Sequence, residues 1–333
     1  MAVRVEVWRG AIVESRHEVS VAVADGEGRL RATAGDTALT VFARSSIKPL
    51  QALPLVEDGI ADRYGMTDEE LALVCASHNG EPAHVAVARS ILGRIGVSEE
   101  SLGCGPDRPF GDAAARALAA AGEKPRRIHN NCSGKHAGMM ALALGNGWPI
   151  AGYLRHDHPV QQRMLDVVAQ WSGVAAPDIG IAVDGCGVVT FALPLAALAG
   201  AFGRFAGQAR RGSAAPARIV RAMTQHPDMV AGEGRLDTDL ARVTGGRVVA
   251  KVGAEGVFAA LVPGAELGVV LKVADGGKRA AGPALIAVLR ALGVMTGEEV
   301  GALASYAEPD VLNTRGERVG AVRAVVELEA VDG

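Results

Sequence analysis

The sequence contains little of what would tie a protein to a membrane, to nucleic acid or to an oxidising compartment. Four cysteines in 333 residues are too few for a disulfide scaffold of this size and favour free or metal-bound thiols in a reducing cytosol. The 34 basic and 37 acidic residues are well mixed, so no basic stripe indicates a nucleic-acid partner. The longest weakly polar run, from Phe191 to Phe202, contains Pro194 and is too short to span a bilayer. The first residues alternate and contain no apolar core of signal-peptide length. We therefore expect a soluble, cytoplasmic protein without nucleic-acid or membrane partners.

Strand patterns lie at the two ends of the chain and helical patterns lie between them. Residues 3–8 and 19–24 alternate with period two, and further strands are predicted over 247–251, 256–262, 267–273 and 317–328. Helices are predicted over 47–58, 68–76, 83–95, 112–121, 135–144, 159–171, 195–205, 217–225, 237–243 and 278–292, with Pro54 kinking the first or stopping it early. This order predicts an α/β (α+β) fold in a single domain, 1–333. A sheet lobe, about 1–45 and 245–333, would enclose a largely helical lobe, about 46–244.

The densest group of reactive side chains lies between residues 129 and 140, which read HNNCSGKHAGMM. A surface helix does not need so many reactive groups, and a core cannot bury them without partners. Ser133 can cap a helix whose first turn holds Lys135 and His136. Cys132 and Lys135 are three residues apart at this helix start, so both can point at one ligand. The alternative is a polar helix entry with one buried free cysteine.

Ser45 and Lys48 form an S-x-x-K pattern at the start of the first predicted helix, where both lie on one face. A serine hydroxyl needs a base to become nucleophilic. A lysine can be that base if burial or nearby positive charge lowers its pKa from ~10.4 toward neutrality, and Arg44 and Lys251 could supply such charge. Alone, the pattern more often marks a helix cap and a solvated lysine.

Two later motifs strengthen this interpretation. Ser77 and Asn79 offer a hydroxyl and an amide, although the Asn-Gly dipeptide alone would suggest a turn. Lys251 follows a predicted strand, and backbone N–H groups near Gly80 or Gly253 could form an oxyanion hole. The order S-x-x-K, S-x-N, K-x-G is that of serine-reactive acyl hydrolases of the β-lactamase and penicillin-binding type, although the first two motifs are closer together here.

Cys132 and Cys186 are the obvious metal-binding thiols, since each is flanked by Gly or Asn and by polar residues. Their spacing matches no zinc finger, so the pattern alone is a weak indication. Lys135 would have to lose a proton to join them, which a metal can itself drive. Cys75 is interpreted as a core residue. The polar loop 225–235 is interpreted as a lid, a subunit contact or a plain surface loop.

Taken together, these blocks resemble the rhizobial-type (class 3) L-asparaginases, a zinc-binding amidohydrolase family. The matching segments are 44–51, 76–81, 129–140, 183–188, 225–235 and 251–258. The resemblance implies a fold like the serine β-lactamases and glutaminases, hydrolysis of L-asparagine to L-aspartate and ammonia, and a homodimer. A glutaminase or broader amidase on the same scaffold and a non-catalytic, zinc-dependent small-molecule binding protein are the alternatives.

The resemblance also assigns roles to individual residues. It implies two catalytic pairs, Ser45 with Lys48 and Ser77 with Lys251, and only the spacing to Lys48 favours Ser45 over Ser46. It implies a zinc ion held by Cys132, Lys135 and Cys186 with water completing the shell. The positions expected around the substrate are Arg44, Asn79, His136 and Asp184.

Overall fold

The structure, a computed structural model, describes residues 2–331. The strands are β1 Val3–Arg9, β2 Ile12–Ala24, β3 Leu30–Ala34, β4 Thr40–Phe42, β5 Gly180–Val183, β6 Val189–Pro194, β7 Val249–Val252, β8 Val257–Val262, β9 Leu267–Val273, β10 Asp310–Leu312, β11 Arg318–Val326 and β12 Glu329–Ala330. The α-helices are α1 Lys48–Glu57, α2 Ile60–Arg63, α3 Asp68–Val74, α4 Pro82–Arg94, α5 Asp112–Ala120, α6 Ser133–Gly145, α7 Pro159–Ser172, α8 Leu195–Arg210, α9 Ala214–Gln225, α10 Pro227–Val230, α11 Leu236–Val243, α12 Lys278–Ala291, α13 Gly297–Ala302 and α14 Ala304–Ala307. Short 3₁₀ helices cover Arg44–Ile47, Glu99–Ser101, Arg127–His129, Ala176–Asp178 and Pro263–Ala265. None of the described helices combines the length and the apolar character needed to cross a bilayer.

The chain divides into two compact units. The first contains the chain up to Ser46, Leu193–Gly207 and the chain from Leu240 onward, and the second contains Ile47–Ala192 and Gln208–Asp239. The observed units differ from the predicted lobes in one segment. Most of α8, which was predicted in the helical lobe, belongs to the unit that contains the sheet. Glycine makes this possible: a Cβ at Gly203 would collide with the Asp25 carbonyl, so only a bare main chain can approach β2 this closely. The single-domain expectation stays a prediction.

An antiparallel sheet organises the first unit. Within residues 2–331 its nine strands run in the order β10-β11-β1-β2-β9-β8-β7, while β3 pairs with β2 and β12. Val3 lies opposite Val326 and also opposite Val19, which confirms that the two ends of the chain build one sheet. The alternating apolar side chains of β1 are buried, and α12 packs against β1, β9 and β11. The mixed α/β class predicted from the sequence is therefore confirmed.

The second unit is largely helical, with α1, α3, α6 and α9 packed on one another. Its antiparallel pair β5–β6 was not predicted. Helix α6 approaches its neighbours closely because one face carries glycines. A Cβ at Gly134 would overlap the Leu73 carbonyl of α3, and one at Gly138 would lie 2.8 Å from the Val74 side chain. The start of α6 therefore rests on the end of α3.

Two local predictions need correction. Pro54 does not stop helix α1 early, since the helix continues to Glu57 and the Pro54 carbonyl accepts from the Asp58 N–H at 3.0 Å, and a kink at Pro54 stays a prediction. Ser133 does not cap α6: the helix begins at Ser133 itself, with Cys132 in the cap position. The Ser133 hydroxyl lies instead 2.9 Å from Nε2 of His78.

Candidate active site

The segments that carry Ser45 and Lys251 lie together in the first unit. A Cβ at Gly253 would lie 3.1 Å from the Ala43 carbonyl and 3.4 Å from the Ser46 nitrogen, so the end of β7 passes directly beside the backbone around Ser45. Lys251 is buried, and its Nζ donates to the Val252 carbonyl at 2.8 Å. The end of β7 and the stretch that carries Ser45 and Ser46 are therefore neighbours in space.

The two serines of the first motif differ in their surroundings. Ser46 is fully buried, and its hydroxyl donates to the Ala43 carbonyl at 2.6 Å. Ser45 is partly exposed, and its hydroxyl has no hydrogen bond to any other residue between 2 and 331. Arg44, just before it, adopts a φ of 50°, a left-handed conformation that costs an L-residue about 1–2 kcal/mol. Such strain is concentrated at functional sites.

In the second unit, Lys48 joins the first two motifs. Its buried Nζ donates to the Ala76 carbonyl at 2.5 Å, to Oγ of Ser77 at 3.0 Å and toward Sγ of Cys132 at 3.1 Å. The contact between Lys48 and Ser77 adds to the expected pairs of Ser45 with Lys48 and Ser77 with Lys251, which stay predictions. One lysine amino group therefore contacts a candidate catalytic hydroxyl and a candidate metal-binding thiol.

The segment that carries Ser77 is held from two sides. On one side, the Ser77 N–H donates to the Val230 carbonyl at 3.0 Å and the Asn79 N–H to the Ala231 carbonyl at 2.8 Å. On the other side, the His78 N–H donates to the Asn131 carbonyl at 3.1 Å. Two stretches that are distant in sequence therefore hold the backbone of the Ser77 segment.

The His78 ring strengthens the second of these attachments. The Gly80 N–H donates to Nδ1 at 3.1 Å, which leaves the proton on Nε2 to be donated to Oγ of Ser133. Burial, together with the charges of His84 and Lys48, holds the pKa of His78 well below its ordinary value, so the ring is neutral. His78 therefore couples the Ser77 segment to the first residue of α6.

Two backbone groups considered for an oxyanion hole already have partners. The Gly80 N–H donates to His78, and the Gly253 N–H donates to the Val257 carbonyl at 2.7 Å. An oxyanion hole formed by backbone N–H groups near Gly80 or Gly253 stays a prediction, and the N–H groups of these two glycines themselves are engaged elsewhere. Each is used to hold its own turn in shape.

The side-chain amide of Asn79 is also engaged. Its Nδ2 donates to Oε1 of Glu81 at 2.8 Å and to the Glu233 carbonyl at 3.0 Å, and its Oδ1 accepts from Nη1 of Arg235 at 3.0 Å. Both amide hydrogens are thus used inside the second unit. Direct contact between Asn79 and a substrate stays a prediction, and the contacts themselves tie the Ser77 segment to the loop before α11.

The three expected metal ligands lie together in the second unit. Nζ of Lys135 is 3.0 Å from Sγ of Cys186. A hydrogen bond from Cys132 and the charge of Lys135 lower the pKa of Cys186 to about 4, whereas the same hydrogen bond and burial raise the pKa of Cys132 to about 12. Burial opposes the charge on Lys135, but the neighbouring thiols raise its pKa overall. The arrangement is a thiolate held between a thiol and an ammonium.

The chemistry of these donors fits zinc. No three His, Cys, Asp or Glu side chains of the described residues form a group that could hold a metal ion, and the expected set differs in taking Lys135 as its third member. Two thiolates and an amine are sulfur and nitrogen ligands of the kind that zinc accepts. The amine has to lose its proton, which a bound dication promotes.

His136 and Asp184 surround this cluster. His136 is wholly buried, its Nδ1 lies 2.6 Å from the Tyr153 hydroxyl, and its Nε2 has no partner among residues 2–331. Burial and the charge of Lys135 lower the pKa of His136 to about 3, so the ring is neutral. Asp184 accepts from the Gly185 N–H at 2.8 Å, and its Oδ2 lies 4.0 Å from Sγ of Cys186. Their contacts with a substrate stay predictions.

Three residues of this region were not singled out from the sequence. Tyr153 lies in a segment without any motif, so no signal could have indicated it. His78 stood between Ser77 and Asn79, and only its packing shows that it binds Ser133. Arg235 is the last residue of the polar loop 225–235, and the composition of this loop did not show whether it belongs to a site or to the surface.

Comparison with known proteins agrees with the resemblance seen in the motifs. No curated protein matches the chain. Among solved structures, a β-lactamase from Mycobacterium bovis aligns with a TM-score of 0.45 and 19% identity, covering 83% of this chain and 95% of that one. Mglu in its native form aligns with a TM-score of 0.45 and 15% identity, covering 85% of this chain and 67% of that one. The L-asparaginase II family model matches residues 5–324, nearly the whole sequence. The chain therefore belongs to the L-asparaginase II family.

Proposed function

We propose that this L-asparaginase hydrolyses L-asparagine to L-aspartate and ammonia with Ser45 as its nucleophile. The observation that carries the proposal is the position of Lys48. Its buried Nζ lies 3.0 Å from the Ser77 hydroxyl. In the sequence, Lys48 follows Ser45 by three residues. A lysine that contacts one serine and follows another by three residues can serve as the base for a serine hydroxyl and carry its proton onward.

The proposed reaction has two stages. Lys48 takes the proton of Ser45, whose oxygen attacks the side-chain amide carbon of asparagine. Ser77 and Lys251 then carry a proton to the leaving nitrogen, which departs as ammonia and leaves an aspartyl ester on Ser45. Water hydrolyses the ester and returns the proton to the serine. The partly exposed Ser45 and the internally bonded Ser46 support this choice of nucleophile.

The remaining roles concern binding. We assign the substrate α-carboxylate to Arg44 and the α-ammonium to Asp184. Zinc would be held by Cys132, Lys135 and Cys186, and when bound it supplies a fixed positive centre that orders the loops and positions the substrate. Two thiolate ligands would reduce its Lewis acidity, so zinc would position the substrate rather than generate the hydrolytic hydroxide. A cytoplasmic homodimer completes the proposal.

The test is ammonia release by the purified protein from L-asparagine and, in parallel, from L-glutamine. We expect fast release from asparagine and ~10- to 100-fold less from glutamine, since one methylene changes binding by ~1–3 kcal/mol. Ser45→Ala should abolish the activity, and Ser46→Ala, the matched control, should retain it. A Ser45→Ala enzyme with most of its activity would overturn the nucleophile assignment. A wild-type protein that releases no ammonia from asparagine would overturn the proposed function.

A further inference from the structure

Arg235 is a partly buried cation whose charge no carboxylate neutralises. Its Nη1 donates to the Ser77 carbonyl at 3.3 Å and to Oδ1 of Asn79 at 3.0 Å. Its Cζ lies 4.7 Å from the centre of the Phe110 ring. Throughout residues 2–331, its Nε and Nη2 form no hydrogen bond and the side chain forms no ion pair. One edge of the guanidinium is therefore unoccupied beside a proposed catalytic serine.

Other arginines of the second unit are treated differently. Arg94 meets Glu70 at 2.7 Å, Arg163 meets Glu57 and Asp58 at 2.7 and 2.9 Å, and Arg221 meets Asp68 at 2.8 Å. A partly desolvated charge that touches only carbonyl groups and a ring keeps a strong preference for an anion. Arg235 is thus equipped to bind a negatively charged ligand.

The guanidinium is also held in one orientation. It stacks on Phe110, whose neighbour Gly111 donates its N–H to the Asn79 carbonyl at 2.9 Å. Asn79 is confined in turn by Gly232, where a Cβ would lie 2.7 Å from the amide nitrogen and where φ is 114°. Pre-orientation of this kind reduces the entropy lost when a ligand binds. The planar fork then presents Nε and Nη2 side by side.

We propose that Arg235 binds the α-carboxylate of the amino-acid substrate through Nε and Nη2 and determines the preference for amino-acid amides over simple amides. The inference rests on the proposed function and gives Arg235 the role otherwise assigned to Arg44. A guanidinium edge matches the two oxygens of a carboxylate, and a charge-assisted pair of this geometry is among the stronger polar contacts in proteins. Phe110 serves as the platform that keeps the edge in place.

The experiment compares L-asparagine with β-alaninamide, which lacks only the α-carboxylate. For Arg235→Gln we expect kcat/KM for L-asparagine to fall ~10- to 100-fold, mainly through KM, because a hydrogen-bonded charge contributes ~1.5–3 kcal/mol. The rate with β-alaninamide should stay within a few-fold of wild type. Arg235→Lys should lose nearly as much with asparagine, since an ammonium cannot form the paired contact. Arg221→Gln, which removes an exposed arginine already paired with Asp68, is the matched control and should change neither substrate.

Two results would overturn the inference. An equal loss on both substrates would make Arg235 a purely structural residue. A selective loss in Arg44→Gln, but not in Arg235→Gln, would return the carboxylate to Arg44. Calorimetric binding of L-aspartate separates this inference from the proposed function, since it needs no turnover. Weaker binding by Arg235→Gln than by wild type supports the inference even if no ammonia is released, and equal binding, or none by either protein, contradicts it.

Discussion

Two clusters of charged side chains, one in each unit, are built in opposite ways. In the first unit, His17 donates from Nδ1 to Asp275 at 2.7 Å and accepts at Nε2 from Arg279 at 2.9 Å. In the second unit, Lys48 and Lys135 are almost inaccessible and face thiols, a hydroxyl and a carbonyl. Neither lysine forms an ion pair with a carboxylate of the described chain. The charged groups of the first cluster therefore pair with one another, whereas the two lysines of the second cluster contact groups that can take part in a reaction.

The difference shows what each cluster contributes. A triad in which the His17 ring accepts from one neighbour and donates to the other adds a little stability at the sheet. Burying two lysine amino groups beside thiols, a hydroxyl and a carbonyl costs desolvation energy that the contacts only partly return. A chain keeps such an arrangement where function needs it. The lysine cluster should therefore control activity, and the histidine cluster should control stability alone.

The largest effect should follow from Lys48→Met. We expect kcat to fall by at least ~1000-fold, as for loss of a catalytic base, while the temperature of unfolding stays unchanged or rises because a buried polar amino group has been replaced by an apolar side chain of similar length. Ammonia release and thermal unfolding measure the two quantities. Lys272→Met, at a partly buried lysine of β9 outside the site, should leave the activity intact. A Lys48→Met enzyme that keeps its activity would contradict the assignment of activity to the lysine cluster.

The fold was predictable from the sequence where periodicity is strong. The alternation in β1, the bounds of β9 and the lengths of α4 and α7 follow directly from the pattern. The pair β5–β6 could not be found this way, since β6 is buried on both faces while Ile181 and Val183 of β5 are exposed. Neither strand therefore alternates.

The site was predictable in its chemical groups and not in its contacts. Thiols, serines and lysines at particular spacings indicated reactivity on their own. The hydrogen bond of Lys48 to Ser77 joins residues 29 positions apart and depends on how α1 packs near the end of α3. The contact of Arg235 with Asn79 joins residues 156 apart. Such pairs are consequences of tertiary packing, which local patterns do not contain.

An intermediate effect should follow from Cys186→Ser. We expect the purified wild-type protein to hold ~1 zinc ion per chain, and the variant to bind it at least ~100-fold more weakly. Metal analysis after dialysis measures both. The control is Cys104→Ser: Cys104 is also buried, its Sγ lies 3.6 Å from the Arg127 carbonyl, and burial raises its pKa to about 12, so it stays a thiol. If both variants lose the same amount of metal, the assignment of the zinc site to Cys132, Lys135 and Cys186 is wrong.

The smallest effect should follow from Asp275→Asn. The N–H of Gly277, together with His17, holds the pKa of this carboxyl below its ordinary value of 3.8. A lowered folded-state pKa adds stability above the ordinary value, and the contribution is lost as the pH falls through the folded one. Since the side chain is half exposed, we expect a loss below ~1 kcal/mol near neutral pH.

Urea unfolding of Asp275→Asn at ~pH 6 and ~pH 3 tests the sign, because the difference from wild type should shrink at the lower pH. Asp157→Asn, at an exposed pair with Arg155, is the control and should show little effect at either pH. A deficit that grows in acid, or a change in kcat, would contradict the assignment of His17, Asp275 and Arg279 to stability alone.

The contact of Gly134 with the Leu73 carbonyl sets a limit on how this enzyme can evolve. It joins two main chains directly, so no rotamer change can widen or narrow it. Ser77 follows the end of α3 and Cys132 precedes the start of α6, and the interval between hydroxyl and thiol is inherited from that backbone contact. Substitution can exchange the chemical groups at either end. The distance between the two groups is therefore set by the backbone. It should be retained even in descendants that no longer catalyse the present reaction.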